Sequence, residues 1–152
     1  MKRHKSLIAL SHDHHHGLLL AQLIKKGAPN YNGMPTDLLG KINYTKESWE
    51  NELKLHFANE ENILFPFVKN RDPEIDRLLI EIVAEHIKIK SLVEKLDNLN
   101  NIEETLNKLG IMLETHIRKE ERQLFPLIES VFKIDLDELE GKIISVKGST
   151  KT

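Results

Sequence analysis

The chain has 152 residues, 39% hydrophobic and 30% charged, with a formal net charge of −2 and no cysteine. This length is enough to bury a real core in one domain, 1–152, and the balance excludes both a disordered chain and a strong field for nucleic acid or anionic membrane. Without cysteine there are no disulfides, zinc ribbons, iron–sulfur ligation or thiol catalysis, which suits a reducing cytoplasm.

Periodicity of about 3.6 residues dominates, and β-branched alternation is absent, so the fold class is all-α. A basic start, Met1-Lys2-Arg3-His4-Lys5, leads into a first predicted helix from about Lys5 to Lys26. The polar run Ser11-His12-Asp13-His14-His15-His16 breaks any signal-peptide stretch, and no segment is apolar for long enough to span a membrane, so a cytoplasmic location is expected. Gly27, Pro29, Gly33 and Pro35 mark the following loop.

A second helix is predicted from about Thr36 to Val68, with Ile42, Thr45, Trp49, Leu53, His56, Glu60, Ile63 and Phe67 facing inward. Pro66 falls in its last turn, where its ring opposes further propagation. Asp72-Pro73 reads as an N-cap and first helical residue. The third helix then runs to about Leu99, with Leu79, Ile82, His86, Ile89, Val93 and Leu96 on one face. Asn100-Asn101 turns the chain into a fourth helix, from about Ile102 to Phe132, carrying Leu106, Leu109, Leu113, His116, Glu120, Leu124 and Leu127 inward. Asp135 to Ile144 reads as a short amphipathic helix capping one end, and Lys147 to Thr152 as a frayed tail. Short connections between long helices predict an up-down-up-down four-helix bundle over residues 5–132.

One phrase occurs twice. His56-Phe57-Ala58-Asn59-Glu60-Glu61, ending in Phe65-Pro66, returns as His116-Ile117-Arg118-Lys119-Glu120-Glu121, ending in Phe125-Pro126. Positions i and i+4 share a helix face, so each copy offers an imidazole and a carboxylate to one point. A single such pair is ordinarily a solvated surface pair. Here both pairs lie within the apolar stripes, where four ionisable groups are costly to bury without a cation. The remaining helices alternate with these, carrying Asp13-His14 and Glu85-His86, so the chain reads as two similar helical hairpins.

His86 lies mid-stripe and is expected to join the site. In the helix-one cluster, His14 shares its face with Leu7, Leu10, Gly17, Ala21 and Ile24, while His15 faces solvent. His12 and His16 form an i, i+4 pair with two readings, an extra ligand or a helix seam. Asp13 either orients an imidazole or is solvated, and Glu85 has the same two readings, with the solvated one favoured. Glu61 and Glu121 read as flanking charge, Trp49 as core, and Phe65 and Phe125 as an apolar floor. The expected metal site is therefore His14, His56, Glu60, His86, His116 and Glu120.

Six nitrogen and oxygen donors in two-fold arrangement suit two ions better than one four-coordinate zinc, and neither copper(I) nor calcium matches the donor types. Two iron ions are expected, with manganese or zinc as alternatives, each glutamate bridging the pair and open positions left for a small ligand. The order H-x-x-x-E also differs from the Glu-x-x-His of ferritin-like bundles.

These motifs (Asp13-His14, His56-xxx-Glu60-Glu61, Glu85-His86 and His116-xxx-Glu120-Glu121, with both Phe-Pro endings) resemble the hemerythrin-like, HHE cation-binding domain over about residues 5–132. The resemblance implies a four-helix bundle with a non-haem di-iron centre that binds dioxygen or related small ligands. By position it implies His14, His56, His86 and His116 as iron ligands and Glu60 and Glu120 as bridging carboxylates. Oxygen-carrying relatives would have a further histidine where this chain has Lys90. The expected function is binding of O2 or NO for sensing, storage or iron handling, without nucleic-acid or membrane partners. Two alternatives stand beside it: a di-iron enzyme acting on peroxide or nitric oxide, or an iron–sulfur repair factor. Repair relatives usually carry a cysteine-bearing N-terminal segment, which weighs against the latter here. A bundle whose histidines bind nothing is the third reading.

Overall fold

The computed structural model describes residues 2–98 and 100–146, and among them every regular element is helical. Helix α1 spans Ile8–Ile24 and helix α2 spans 38–68. Helix α3 spans Pro73–Glu94, extended by a 3₁₀ turn over Lys95–Asp97, and helix α4 spans 102–131. The four form the expected bundle. No described helix is long and apolar enough to cross a membrane.

Local chemistry sets the helix ends. Asp37 caps α2 by accepting from the Gly40 N–H, so this helix starts slightly later than Thr36. Asp72 accepts from the N–H groups of Glu74 and Ile75, with Pro73 at the first helical position as expected. Leu7 precedes α1 without a side-chain cap, and the helix is shorter at both ends than the predicted Lys5–Lys26. The predicted end of α3 at Leu99 and the tail Lys147–Thr152 lie outside the described residues.

Periodicity did not foresee a local widening. Within α2 the segments Trp49–Leu53 and Glu60–Leu64 are π turns, and so is Glu120–Leu124 within α4. In the latter two, the Phe65 N–H reaches back to the Glu60 carbonyl and the Phe125 N–H to the Glu120 carbonyl. Each such turn inserts one residue and rotates everything after it. The inward face of α2 therefore continues as Leu64 and Val68, while the predicted Ile63 and Phe67 are only half-buried. In α4 the shift puts Ile128 inside and leaves Leu127 half-buried.

A proline, Pro66 or Pro126, stands two residues after each of the two turns that begin at a glutamate. It cannot donate, and its ring crowds the carbonyl one turn back, a clash that a widened turn relieves. The Phe-Pro ending is accordingly not a stop in α4, which continues through Pro126 to Val131.

Two apolar clusters fill the bundle. One joins Leu7, Leu10, Phe65, Ile82, Phe125 and Phe132 with Leu136, Leu139 and Ile143 of the C-terminal segment. The other gathers Leu20, Trp49, Leu53, Phe57, Leu113 and Ile117, and Trp49 is core as expected. The C-terminal segment does cap one end, but only Asp135–Leu139 is helical, as a 3₁₀ turn, rather than all of Asp135 to Ile144. A Cβ at Gly110 would lie 2.9 Å from the Ala21 carbonyl oxygen, so glycine is what lets α1 and α4 approach there. The buried polar residues of the bundle's middle lie between the two clusters.

Candidate metal centre

All six expected site residues are buried, none more than 4% exposed. α1 supplies His14, α2 His56 and Glu60, α3 His86, and α4 His116 and Glu120. Their donor atoms form two groups able to hold a cation: His14, His56, Glu60 and Glu120, and Glu60, His86, His116 and Glu120. Both groups contain both carboxylates. The duplicated π turns begin at Glu60 and Glu120, so each widened turn starts at the carboxylate it presents.

The groups are related by an approximate two-fold. His14 Nε2 lies 2.9 Å from Glu120 Oε1, and His86 Nε2 lies 3.1 Å from Glu60 Oε1. His56 Nε2 is 3.5 Å from Glu60 Oε2, and His116 Nε2 is 3.6 Å from Glu120 Oε1. The His14–His56 and His86–His116 ring pairs both stand 4.9 Å apart, tilted by 62° and 61°. Phe125 stacks on His14 and Phe65 on His86, forming the expected floor.

A second layer of carboxylates orients the imidazoles. His56 Nδ1 donates to Asp13 at 3.0 Å, His86 Nδ1 to Glu61 at 2.6 Å, His116 Nδ1 to Glu85 at 2.8 Å, and His14 Nδ1 to Glu121 at 2.5 Å. Each histidine thus bonds the acid of the preceding helix, and the four links close a ring around the bundle. This corrects the reading of Glu85 as solvated and of Glu61 and Glu121 as mere flanking charge, and it decides between the two readings of Asp13. The sequence signal was the acid beside every ligand: before the histidine on α1 and α3, after the glutamate on α2 and α4.

Those hydrogen bonds fix the tautomer. A carboxylate only accepts, so in each neutral ring the proton sits on Nδ1 and the Nε2 lone pair points at the centre. His14 Nε2 and His56 Nε2 face each other at 3.2 Å, and once both rings are neutral these are two lone pairs that a cation would reconcile. Both Glu60 oxygens, Glu120 Oε2, His86 Nε2 and His116 Nε2 are buried without a hydrogen-bond partner. Burial and the neighbouring Glu60 charge push the Glu120 carboxyl up. At His56, burial acts to lower the pKa but is outweighed by the Glu60 charge and the Asp13 hydrogen bond, which hold it at about 10 in the metal-free chain. These orphaned atoms and crowded acids fit a cation-binding centre.

The remaining helix-one histidines stay outside. His12 and His15 are exposed, and His16 Nε2 pairs with Glu52 at 2.7 Å, so none supplies a fifth imidazole in either donor group. Lys90 is exposed. A cavity of about 20 Å³ adjoins the centre, lined by His14, His56, His116, Gly17, Phe57 and Ile117 among others. That is room for one water-sized molecule.

No curated protein and no solved structure matches the chain. A family model described as the hemerythrin HHE cation binding domain matches residues 5–128, nearly the whole bundle, and the chain therefore belongs to that family.

Proposed function

We propose that the chain binds two iron ions, one held by His14 and His56 and the other by His86 and His116, with Glu60 and Glu120 shared between them. The observation that carries this reading is the pair of donor groups with both carboxylates in common. A lone cation would leave two imidazole lone pairs buried and unanswered, at a cost of several kcal/mol. Nitrogen and oxygen donors without thiolate favour iron or manganese over copper(I), and imidazole is foreign to calcium sites. The family's cation-binding description supports the same assignment.

We further propose that the centre takes up a small ligand, O2 or NO, for sensing, storage or iron handling. Each ion would have two imidazoles and two shared carboxylates from the protein, leaving positions vacant, and the adjoining cavity has room for one molecule about the size of water. When bound, iron supplies reversible redox and ligand affinity. The protein orients the imidazoles through the outer carboxylates and keeps bulk water away with Phe65, Phe125 and Phe57.

Elemental analysis of protein purified without added metal, followed by anaerobic titration with nitric oxide, tests the proposal. Two irons per chain and saturable nitric oxide uptake are expected. One zinc per chain, or two irons with no uptake of nitric oxide or dioxygen, would overturn it in whole or in its ligand half.

A further inference from the structure

The last described residues return to the metal centre. After the 3₁₀ turn, Gly141 adopts φ +79°, a left-handed conformation that reverses the chain cheaply only at glycine. Asn59 of α2 then holds the Ile144 carbonyl at 3.3 Å. Ser145 Oγ donates to Asp13 Oδ1 at 2.6 Å, and the Val146 backbone N–H also reaches Asp13. The other Asp13 oxygen accepts from His56 Nδ1. Val146 is buried and lines the small cavity beside the centre.

Among the described residues this arrangement has no two-fold mate. The counterpart of Asp13 is Glu85, which takes its outer partner, Lys119, from α4 rather than from a returning segment. The strap's hydrogen bonds to the centre's outer acids therefore reach one half only, through Asp13.

We propose that residues 142–146 form a strap that serves one metal position: Ser145 positions His56 through Asp13, and Val146 closes the small-ligand cavity. The inference rests on the two-ion, small-ligand reading above. Asp13 has two oxygens and one imidazole to orient, so anchoring its second oxygen limits the carboxylate to one rotamer, and that rotamer sets the ring. Removal of the Val146 side chain opens the cavity wall without touching a ligand.

The test is anaerobic ferrous titration and stopped-flow nitric oxide binding on the full chain, comparing wild type with Ser145→Ala, Ser145→Thr and Val146→Ala. For Ser145→Ala, one of the two iron equivalents is expected to weaken by ~10-fold, the low end for outer partners of metal ligands. The other equivalent stays as in wild type, and Ser145→Thr restores the first. Val146→Ala is expected to keep both iron equivalents and to bind nitric oxide several-fold faster. Equal weakening of both equivalents, no rescue by threonine, or unchanged nitric oxide kinetics in Val146→Ala would overturn the inference while leaving two-ion binding intact. Wild type that takes no second iron or no nitric oxide would remove the underlying reading, and this inference with it.

Discussion

The half of the centre built on α1 and α2 and the half built on α3 and α4 share a ligand set and differ in nearly everything around it. Each has two imidazoles 4.9 Å apart, a stacked phenylalanine from a Phe-Pro turn, and outer carboxylates on the Nδ1 atoms. Around His86, Phe57 lies face-on at 3.8 Å and covers the ring. The repeat puts Ile117 where Phe57 would be, and Ile117 packs against Gly17 of α1, where a Cβ would meet Ile117 Cδ1 at 2.7 Å. The small cavity is lined by His14, His56 and His116, whereas His86 borders a wider groove together with Phe57 and Glu61. The outer acids differ as well. Asp13 is buried, and Glu121 accepts from Ser11 and Arg3, whereas the Glu61 side chain is 40% exposed. The repeated residues thus gather the two candidate donor groups, and the unrepeated ones give each half different surroundings.

The largest expected effect removes what the halves share. Glu60→Ala or Glu120→Ala strips a donor from both groups at once, so neither ion should survive desalting. Elemental analysis checks this, and retention of one full equivalent would mean that the carboxylates are not shared. Chelation of the wild type comes next. A ligand present at ~1,000 times its Kd stabilises by about 4 kcal/mol, so the metal-free chain should melt well below the loaded one. Coincident melting curves would instead favour a bundle whose histidines bind nothing.

Outer carboxylates should separate the halves. Asp13→Ala is expected to weaken one metal equivalent by ~10–100-fold, and Glu61→Ala to sit at the low end of that range because water can replace an exposed acid. Equal losses in competitive chelator titrations would erase the distinction. Gly17→Ala makes the flexible end of Ile117 move aside, at little cost in stability, and narrows the cavity. Slower nitric oxide association with both metals retained is expected, and unchanged kinetics would move the entry route elsewhere.

The smallest effect concerns protons. In the metal-free chain the His56 pKa is raised to about 10, so its favourable pairing is fully present below the ordinary histidine range and is lost as pH rises toward 10. Metal requires the neutral ring. Between about pH 7 and 10, loading must expel the His56 proton, and apparent affinity should rise with pH. Calorimetry in buffers of different ionisation enthalpy reads this directly.

The convergence of the six buried side chains was legible because two copies of H-x-x-x-E fell on apolar stripes, and the bundle followed from stripe length and Asp72-Pro73. The choice of His14 followed from its face-mates alone. The orienting acids were not legible by the same method. A residue one position from a ligand lies about 100° around the helix and scores as solvent, but in a four-helix bundle that flank faces the neighbouring helix. The π turns were hidden because an inserted residue leaves the apolar content unchanged and alters only its phase, so Ile63 and Leu127 were assigned inward where Leu64 and Ile128 are. Each of the two turns that begin at a glutamate carried one trace of itself, the proline just after it.

Anomalous scattering at the iron edge from crystals of the iron-loaded protein is the most direct measurement. Two peaks per chain are expected, one against the His14 and His56 Nε2 atoms and one against those of His86 and His116, with Glu60 and Glu120 touching both. A single peak, or peaks away from these six side chains, would contradict the account.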